Sequence, residues 1–220
     1  PEIPVSSERL LHIPCDLSDS GQREQAMEKL CCELEKEDLD GPLWLINNSG
    51  IGCYGPYPEP HLKKQGELMS INAIAPLELT AKLLPILKKT GGAIMNIAST
   101  AAFQPTPHLA SYGASKAFLL HWSLSIGEEL KAHHVHVLTV CPGPTATEFF
   151  RAAGFSNPPL PSKFGHTADE VAAIRIRAME RGKSLIVIGL TNKILTFFGS
   201  RLPKTWVTNL AGKILKRVRK

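Results

Sequence analysis

Five short apolar runs separated by helical stretches constrain this chain more than any other feature. They are Arg9 to Cys15 (RLLHIPC), Leu43 to Asn47 (LWLIN), Ala93 to Ala98 (AIMNIA), Val135 to Cys141 (VHVLTVC) and Ser184 to Gly189. Short runs rich in Val, Ile and Leu, without strict alternation, read as strands buried on both faces. Between them the period changes. Met27, Leu30, Cys31 and Leu34 recur at helical spacing after the turn residues Asp16 to Ser20. A long helical stretch runs from about Leu62 to Lys89, contains Pro76 and stops at Gly91-Gly92; a second runs from about Ala110 to His133. Thr167-Ala-Asp-Glu170 has the spacing of a capping box, and two basic helices around the break at Pro203 finish the chain. Strands that alternate with helices of this length need crossover connections. The expected fold is therefore α/β, a doubly wound parallel sheet with helices on both faces.

A chain of 220 residues and 24.0 kDa has room for one domain with a buried core. Its 43% hydrophobic and 20% charged content excludes collagen-like, disordered and coiled-coil classes. No apolar run approaches the roughly 18 residues needed to span a bilayer, and Pro1-Glu2-Ile3-Pro4 lacks a signal-peptide profile, so the expected location is cytoplasmic. Five cysteines, none in a C-x-x-C pair, argue against a disulfide framework or a zinc ribbon and suggest reduced, mostly buried thiols. The charge is localised. Residues 190–220 carry eight Lys/Arg and no Asp/Glu, which turns a formal +5 for the chain into −3 for everything before them. A nucleic-acid footprint spread over the whole chain is absent, and no nucleic-acid partner is expected.

In a doubly wound sheet the ligand sits at the carboxyl ends of the strands, so chemistry belongs in the loops after Cys15, Asn47, Ala98 and Cys141. Ser99 leaves one strand, and Tyr112-Gly-Ala-Ser-Lys116 opens the second long helix. Tyr112 and Lys116, four residues apart, share a helix face. A phenol titrating near ~10 is a poor acid or base at neutral pH, and an adjacent ammonium favours the phenolate. A tyrosine four before a lysine in a cleft thus makes a general acid/base, and Ser99 is placed to hold a substrate carbonyl against it. That spacing alone also occurs on surface helices.

It does not stand alone. Asn47-Asn48-Ser49-Gly50, Ser70-Ile71-Asn72, Ser99, Tyr112 with Lys116, and Pro142-Gly143-Pro144-Thr145-Ala146-Thr147 follow in an order and spacing that resembles the short-chain dehydrogenase/reductase family. The resemblance covers roughly Leu10 to Gly189. It implies a Rossmann-like sheet, with residues 1–189 as the catalytic domain and residues 190–220 as a basic helical extension packed on it. By that resemblance Tyr112 exchanges the proton of a carbonyl or alcohol oxygen, Lys116 lowers its pKa and binds the nicotinamide ribose, and Ser99 polarises the substrate oxygen. Asn72 would hold a proton-relay water through its main chain. Asp16 with Leu17 would meet the adenine, Asn47, Asn48, Ser49 and Gly50 the cofactor loop, and Pro142, Gly143, Thr145 and Thr147 the carboxamide. Ser49 departs from the family's Asn-Asn-Ala-Gly segment.

The implied cofactor is NAD(P)(H), with NADP favoured, no metal, and a small-molecule carbonyl or alcohol as substrate. The implied activity is hydride transfer between that cofactor and a hydrophobic or acyl-type ketone or aldehyde. The family also begins with a strand, a Thr-Gly-x-x-x-Gly-x-Gly loop, a helix and a second strand, all absent from this sequence. The expectation is an N-terminally incomplete catalytic domain whose phosphate-binding segment lies upstream. The alternative is a catalytically inactive scaffold that retains the fold and binds partners through its long helices or basic tail. The two long helices commonly make dimer and tetramer contacts in the family, so a homo-oligomer is expected.

Gly50-Ile-Gly52-Cys-Tyr-Gly55 fits G-x-G-x-x-G but runs into Pro56, Pro58 and Pro60, which cannot open the helix that a phosphate loop needs. His133, His134 and His136 span a helix end and a strand start with no carboxylate or thiolate at ligand spacing. Phe149 to His166, rich in Phe and Pro, matches the family's substrate lid. Trp206, Leu210 and Ile214 form an apolar stripe among lysines, readable as a helix docked on its own domain or as a weak peripheral membrane contact.

Overall fold

A computed structural model describes residues 10–37, 39, 41–59, 62–155 and 165–217 of the chain. Its centre is a parallel sheet of β1 (Trp44–Asn47), β2 (Ala93–Ile97), β3 (His136–Cys141) and β6 (Leu185–Val187), in the order β1-β2-β3-β6. The register runs Asn47 to Asn96 and Asn96 to Thr139, so polar residues line up across three adjacent strands near their carboxyl ends. A second, two-stranded parallel pair joins β4 (Thr145–Ala146) to β5 (His166–Thr167).

Helices cover both faces. Ile94, Val135 and Val137 pack with Leu83 and Leu87 of α3 (Ala75–Thr90) and with Leu30 and Leu34 of α1 (Ser20–Lys36). Met95, Leu138 and Val140 point the other way, against Val171, Ala178 and Met179 of α6 (Ala168–Glu180). Alternate strand residues thus feed two separate cores, which explains runs that are apolar throughout. The N-terminus of α6 is the expected capping box, with the Thr167 hydroxyl and Glu170 carboxylate each accepting the other's backbone N–H. α3 ends where Gly91 turns to φ 65. Gly92 follows because its Cα faces the Leu43 carbonyl, which a Cβ would meet at 2.4 Å.

Two expectations change, and a third holds with one addition. Leu10 to Cys15 is irregular chain, with Leu10 and Leu11 about half exposed. A strand needs a ladder partner, and none lies beside it among the described residues; Arg9 falls outside them. The long stretch from Leu62 is one continuous helix in three parts: α2 (Leu62–Met69), a π-helical turn Ser70–Ile74, and α3. Within the 29 residues Leu62–Thr90, an 18-residue window with a mean hydropathy of 1.2 is long and apolar enough by composition to cross a bilayer. The stretch is instead a core helix whose Leu68, Ala73, Ala75, Leu83 and Leu87 are buried. Of the free thiols, Cys53 and Cys141 are buried, whereas Cys32 is exposed because it faces away from the sheet on α1.

Candidate active site

The second long helix resolves into α4 (Ala110–Glu129) and a 3-10 turn Leu130–His133. α4 begins beside the carboxyl end of β2 and so brings Tyr112 and Lys116 to Ser99. Gly113 lets the helix seat this deeply, since a Cβ there would lie 2.1 Å from the Thr106 hydroxyl. Lys116, only 3% exposed, donates from Nζ to the Ile97 carbonyl at 2.8 Å and lies over the Tyr112 ring, 6.0 Å from its centroid. The Ser99 hydroxyl, which accepts the Ala101 N–H at 3.1 Å, lines the same cavity as Tyr112 and Lys116 and exerts a lowering influence on the Tyr112 phenol.

Burial sets the electrostatics. It pulls the Lys116 ammonium down to about 8, and it pushes the Cys141 thiol beside it up to about 12. The Tyr112 phenol is raised above its ordinary value by burial, against a smaller lowering by Ser99. The lowering of the phenol expected from Lys116 is therefore outweighed by burial. At the pH where the phenol ionises, Lys116 has already lost its charge and offers the phenolate no compensation.

Asn72 sits in the π-helical turn, fully buried. Its side chain clamps the loop after β1: Oδ1 accepts the Ile51 N–H at 2.9 Å, and Nδ2 donates to the Ile51 carbonyl at 2.9 Å and to Ser115 Oγ at 3.1 Å. Ser115 in turn donates to the Tyr112 carbonyl at 2.8 Å. The strand-end loop, the π-turn and the first turn of α4 form one hydrogen-bonded unit. A π-turn of this kind is costly and recurs at functional sites.

A cavity of about 520 Å³ opens in front of Ser99, Tyr112 and Lys116. Asn48, Gly50, Pro142, Gly143, Thr145 and Thr147 line it. Phe149, Phe150 and Phe155 cover it from α5 (Phe149–Ala152) and the residues beyond, with the Tyr112 and Phe149 rings 5.1 Å apart. These are the first residues of the expected lid; Pro158, Pro159, Leu160, Pro161 and Phe164 lie outside the described residues. Asp16, Leu17, Asn47 and Ser49 do not line the cavity. Asp16 bonds the Ser18 N–H and hydroxyl, both at 2.8 Å, which lowers its carboxyl, and Leu17 holds Arg23 through its carbonyl. Asn47 is turned inward, donating to Asn96 Oδ1 at 2.7 Å, and Asn96 donates to Ser123 at 2.8 Å.

Sequence reasoning missed Asn96, Ser115 and Ser123 as parts of this framework. A polar residue in the middle of the apolar run AIMNIA was the available signal for Asn96. It also missed Arg175, which holds Asn48 Oδ1 at 2.6 Å, and the tail residues Leu195, Ala211, Ile214 and Leu215, which close the cavity. The last three come from α8 (Lys204–Arg217), and Leu195 from α7 (Leu190–Arg201). Tyr54 fixes α8 by donating its hydroxyl to the Leu215 carbonyl at 2.7 Å.

Residues 2–155 match the short chain dehydrogenase family. The chain belongs to that family. Among solved structures, a short-chain dehydrogenase from Burkholderia cenocepacia J2315 in complex with NADP is similar at a TM-score of 0.73 and 27% identity, over 90% of this chain and 77% of that one. Another, from Sphingobium yanoikuyae in complex with NADPH, reaches a TM-score of 0.71 at 26% identity, over 86% and 72%. A very-long-chain 3-oxoacyl-CoA reductase from Anas platyrhynchos is 29% identical over 211 residues, 92% of this chain and 64% of its own length. A protein of the same name from Phaeosphaeria nodorum is 42% identical over 99 residues, 44% of this chain and 29% of its own. The chain thus spans less than two thirds of these curated relatives. As a member of that family it has a Rossmann-like parallel sheet.

Proposed function

We propose that this chain carries the catalytic half of an NADP(H)-dependent reductase for a hydrophobic, acyl-type carbonyl compound, with Ser99, Tyr112 and Lys116 as its active set. The observation that carries the reading is the Ser99–Tyr112–Lys116 constellation at the wall of a cavity whose other walls are largely apolar.

The residues present suit the nicotinamide end of the cofactor. Gly50 leaves open the space in front of Lys116: a Cβ there would lie 3.1 Å from Nζ and 3.3 Å from Asn72 Oδ1. Lys116 would hold the ribose hydroxyls, with Pro142, Gly143, Thr145 and Thr147 around the carboxamide. A nicotinamide held there would supply the hydride for the carbonyl carbon. Ser99 donates a hydrogen bond to the substrate oxygen and holds it beside the phenol. Tyr112, kept neutral by burial, gives its proton to that oxygen as charge develops on it, which suits the reduction direction. Lys116, with a value near 8, restores the phenol proton and exchanges its own with solvent. Asn72 positions the strand-end loop and the first turn of α4. The Phe149, Phe150 and Phe155 wall excludes water and receives an alkyl chain, in keeping with relatives named for 3-oxoacyl-CoA reduction. Exposed Leu77, Phe118 and Leu124 on the two long helices support a homo-oligomer.

The test is NADPH oxidation with 3-oxoacyl thioesters of increasing chain length, in wild type and Tyr112→Phe. Tyr112→Phe is expected to lose turnover by about 10²-fold or more while NADPH affinity changes less than about threefold. Full activity in that variant refutes the assignment.

A further inference from the structure

The last two helices expose the wrong residues for a protein bathed in water on that side. On α7 the inward positions are polar or small: Thr196 and Gly199 are buried and Asn192 is half-buried. Its outward face is apolar, with Leu190 at 75%, Ile194 at 51%, Phe197 at 50% and Phe198 at 52% exposure. α8 continues the surface. Trp206, Leu210 and Ile214 are 69%, 61% and 54% exposed, while Ala211 and Leu215 face the cavity. The expected stripe is thus present and points outward, and α8 docks on its domain through a different face. An amphipathic helix that turns its apolar side away from its own core presents it to something else.

We infer that the outward face of α7 and α8 docks on an anionic lipid bilayer. Charge selects this occupant. Residues 190–217 carry six Lys/Arg and no Asp/Glu, so two copies of the face would meet as like charges, whereas an anionic bilayer complements it. Cation and aromatic are interleaved, as at a headgroup boundary. The Arg201 guanidinium lies 3.8 Å from the Phe197 ring centroid, and exposed Lys213 shares the turn of α8 that carries Leu210 and Ile214. Leu195 and Ile214 belong both to this exposed face and to the cavity wall, which puts the tail side of the cavity at the lipid. The inference goes beyond the reductase reading and stands without it.

Flotation of the full chain with phosphatidylcholine vesicles, with and without about 30% phosphatidylserine, tests it. Partition to the anionic vesicles is expected to exceed that to neutral ones by roughly tenfold or more and to fall at about 0.5 M salt. The surface triple variant L190S/I194S/F198S is expected to lose binding, and K213E/K216E to weaken it by about tenfold, each with an unchanged melting temperature. Brominated phosphatidylserine vesicles should quench fluorescence in wild type more than in Trp206→Phe. Failure of wild type to float, or flotation that neither variant reduces, overturns the inference. So does a wild-type dimer that the triple variant dissociates without any vesicle binding, because the face then belongs to a second copy.

Discussion

Replacing Lys116 by Met is expected to stabilise the ligand-free protein at neutral pH and to destabilise it in alkali. Lys116 is 3% exposed, and burial holds it near 8 against an ordinary value of 10.5. Keeping the ammonium charged inside the fold at pH 7 therefore costs roughly 3 kcal/mol. Against this, Met fills much the same volume but leaves the Ile97 carbonyl without its 2.8 Å donor, at a cost of about 1 to 2 kcal/mol. The balance is a gain of about 1 to 2 kcal/mol for the variant at pH 7. The folded state binds fewer protons than the unfolded state between pH 8 and 10.5, so wild-type stability rises with pH across that window. Met at this position has nothing to titrate. The difference between the two proteins should shrink above pH 8 and change sign near pH 9 to 10, once the neutral amine no longer carries the desolvation cost. Urea denaturation of both proteins at pH 7, 8.5 and 10 measures the difference directly, and other titrating groups cancel in it. A variant that is less stable at pH 7 by 1 kcal/mol or more, with a difference independent of pH, refutes the reasoning. Lys116 would then titrate in the folded state much as it does in the unfolded chain, its charge solvated or compensated.

Two further substitutions test how the frame around the site is held. Gly92→Ala pushes a Cβ to 2.4 Å from the Leu43 carbonyl and 2.7 Å from Leu87 Cδ2, at the point where α3 turns into β2. Because backbone must move, the loss should be about 2 kcal/mol or more, read as a lower melting temperature, and an unchanged melt would show that the turn relaxes freely. Tyr54→Phe removes the hydroxyl that holds the Leu215 carbonyl at 2.7 Å. It should cost about 1 kcal/mol and speed amide exchange within Lys204–Arg217 while β2 and β3 keep their protection; equal protection of α8 in both proteins would mean that apolar packing alone holds it.

The parallel sheet was legible in the sequence because periodicity is a local property. Continuous apolar runs such as Val135 to Cys141 and the 3.6-residue spacing on α1 need no knowledge of the partner that covers them. The candidate set was legible for the same reason: Tyr112 and Lys116 are one helical turn apart, and Ser99 follows a strand end. Leu10 to Cys15 shows where that logic stops. Its composition suits a strand, but a strand forms only when a neighbour supplies ladder hydrogen bonds, and composition carries no such information. The same limit explains why Asn47 bonds Asn96 inside the sheet, why Asn72 clamps Ile51 and Ser115, and why the tail closes the cavity with Ala211 and Leu215 while Trp206 and Leu210 face outward. Each depends on contacts between residues far apart in the chain. The sequence by itself determined the alternation of strands and helices and the residue types at the strand ends. Tertiary structure alone decided which polar groups are buried against one another, how far Lys116 is removed from water, and which side of the last two helices is left uncovered, because those depend on long-range packing and desolvation.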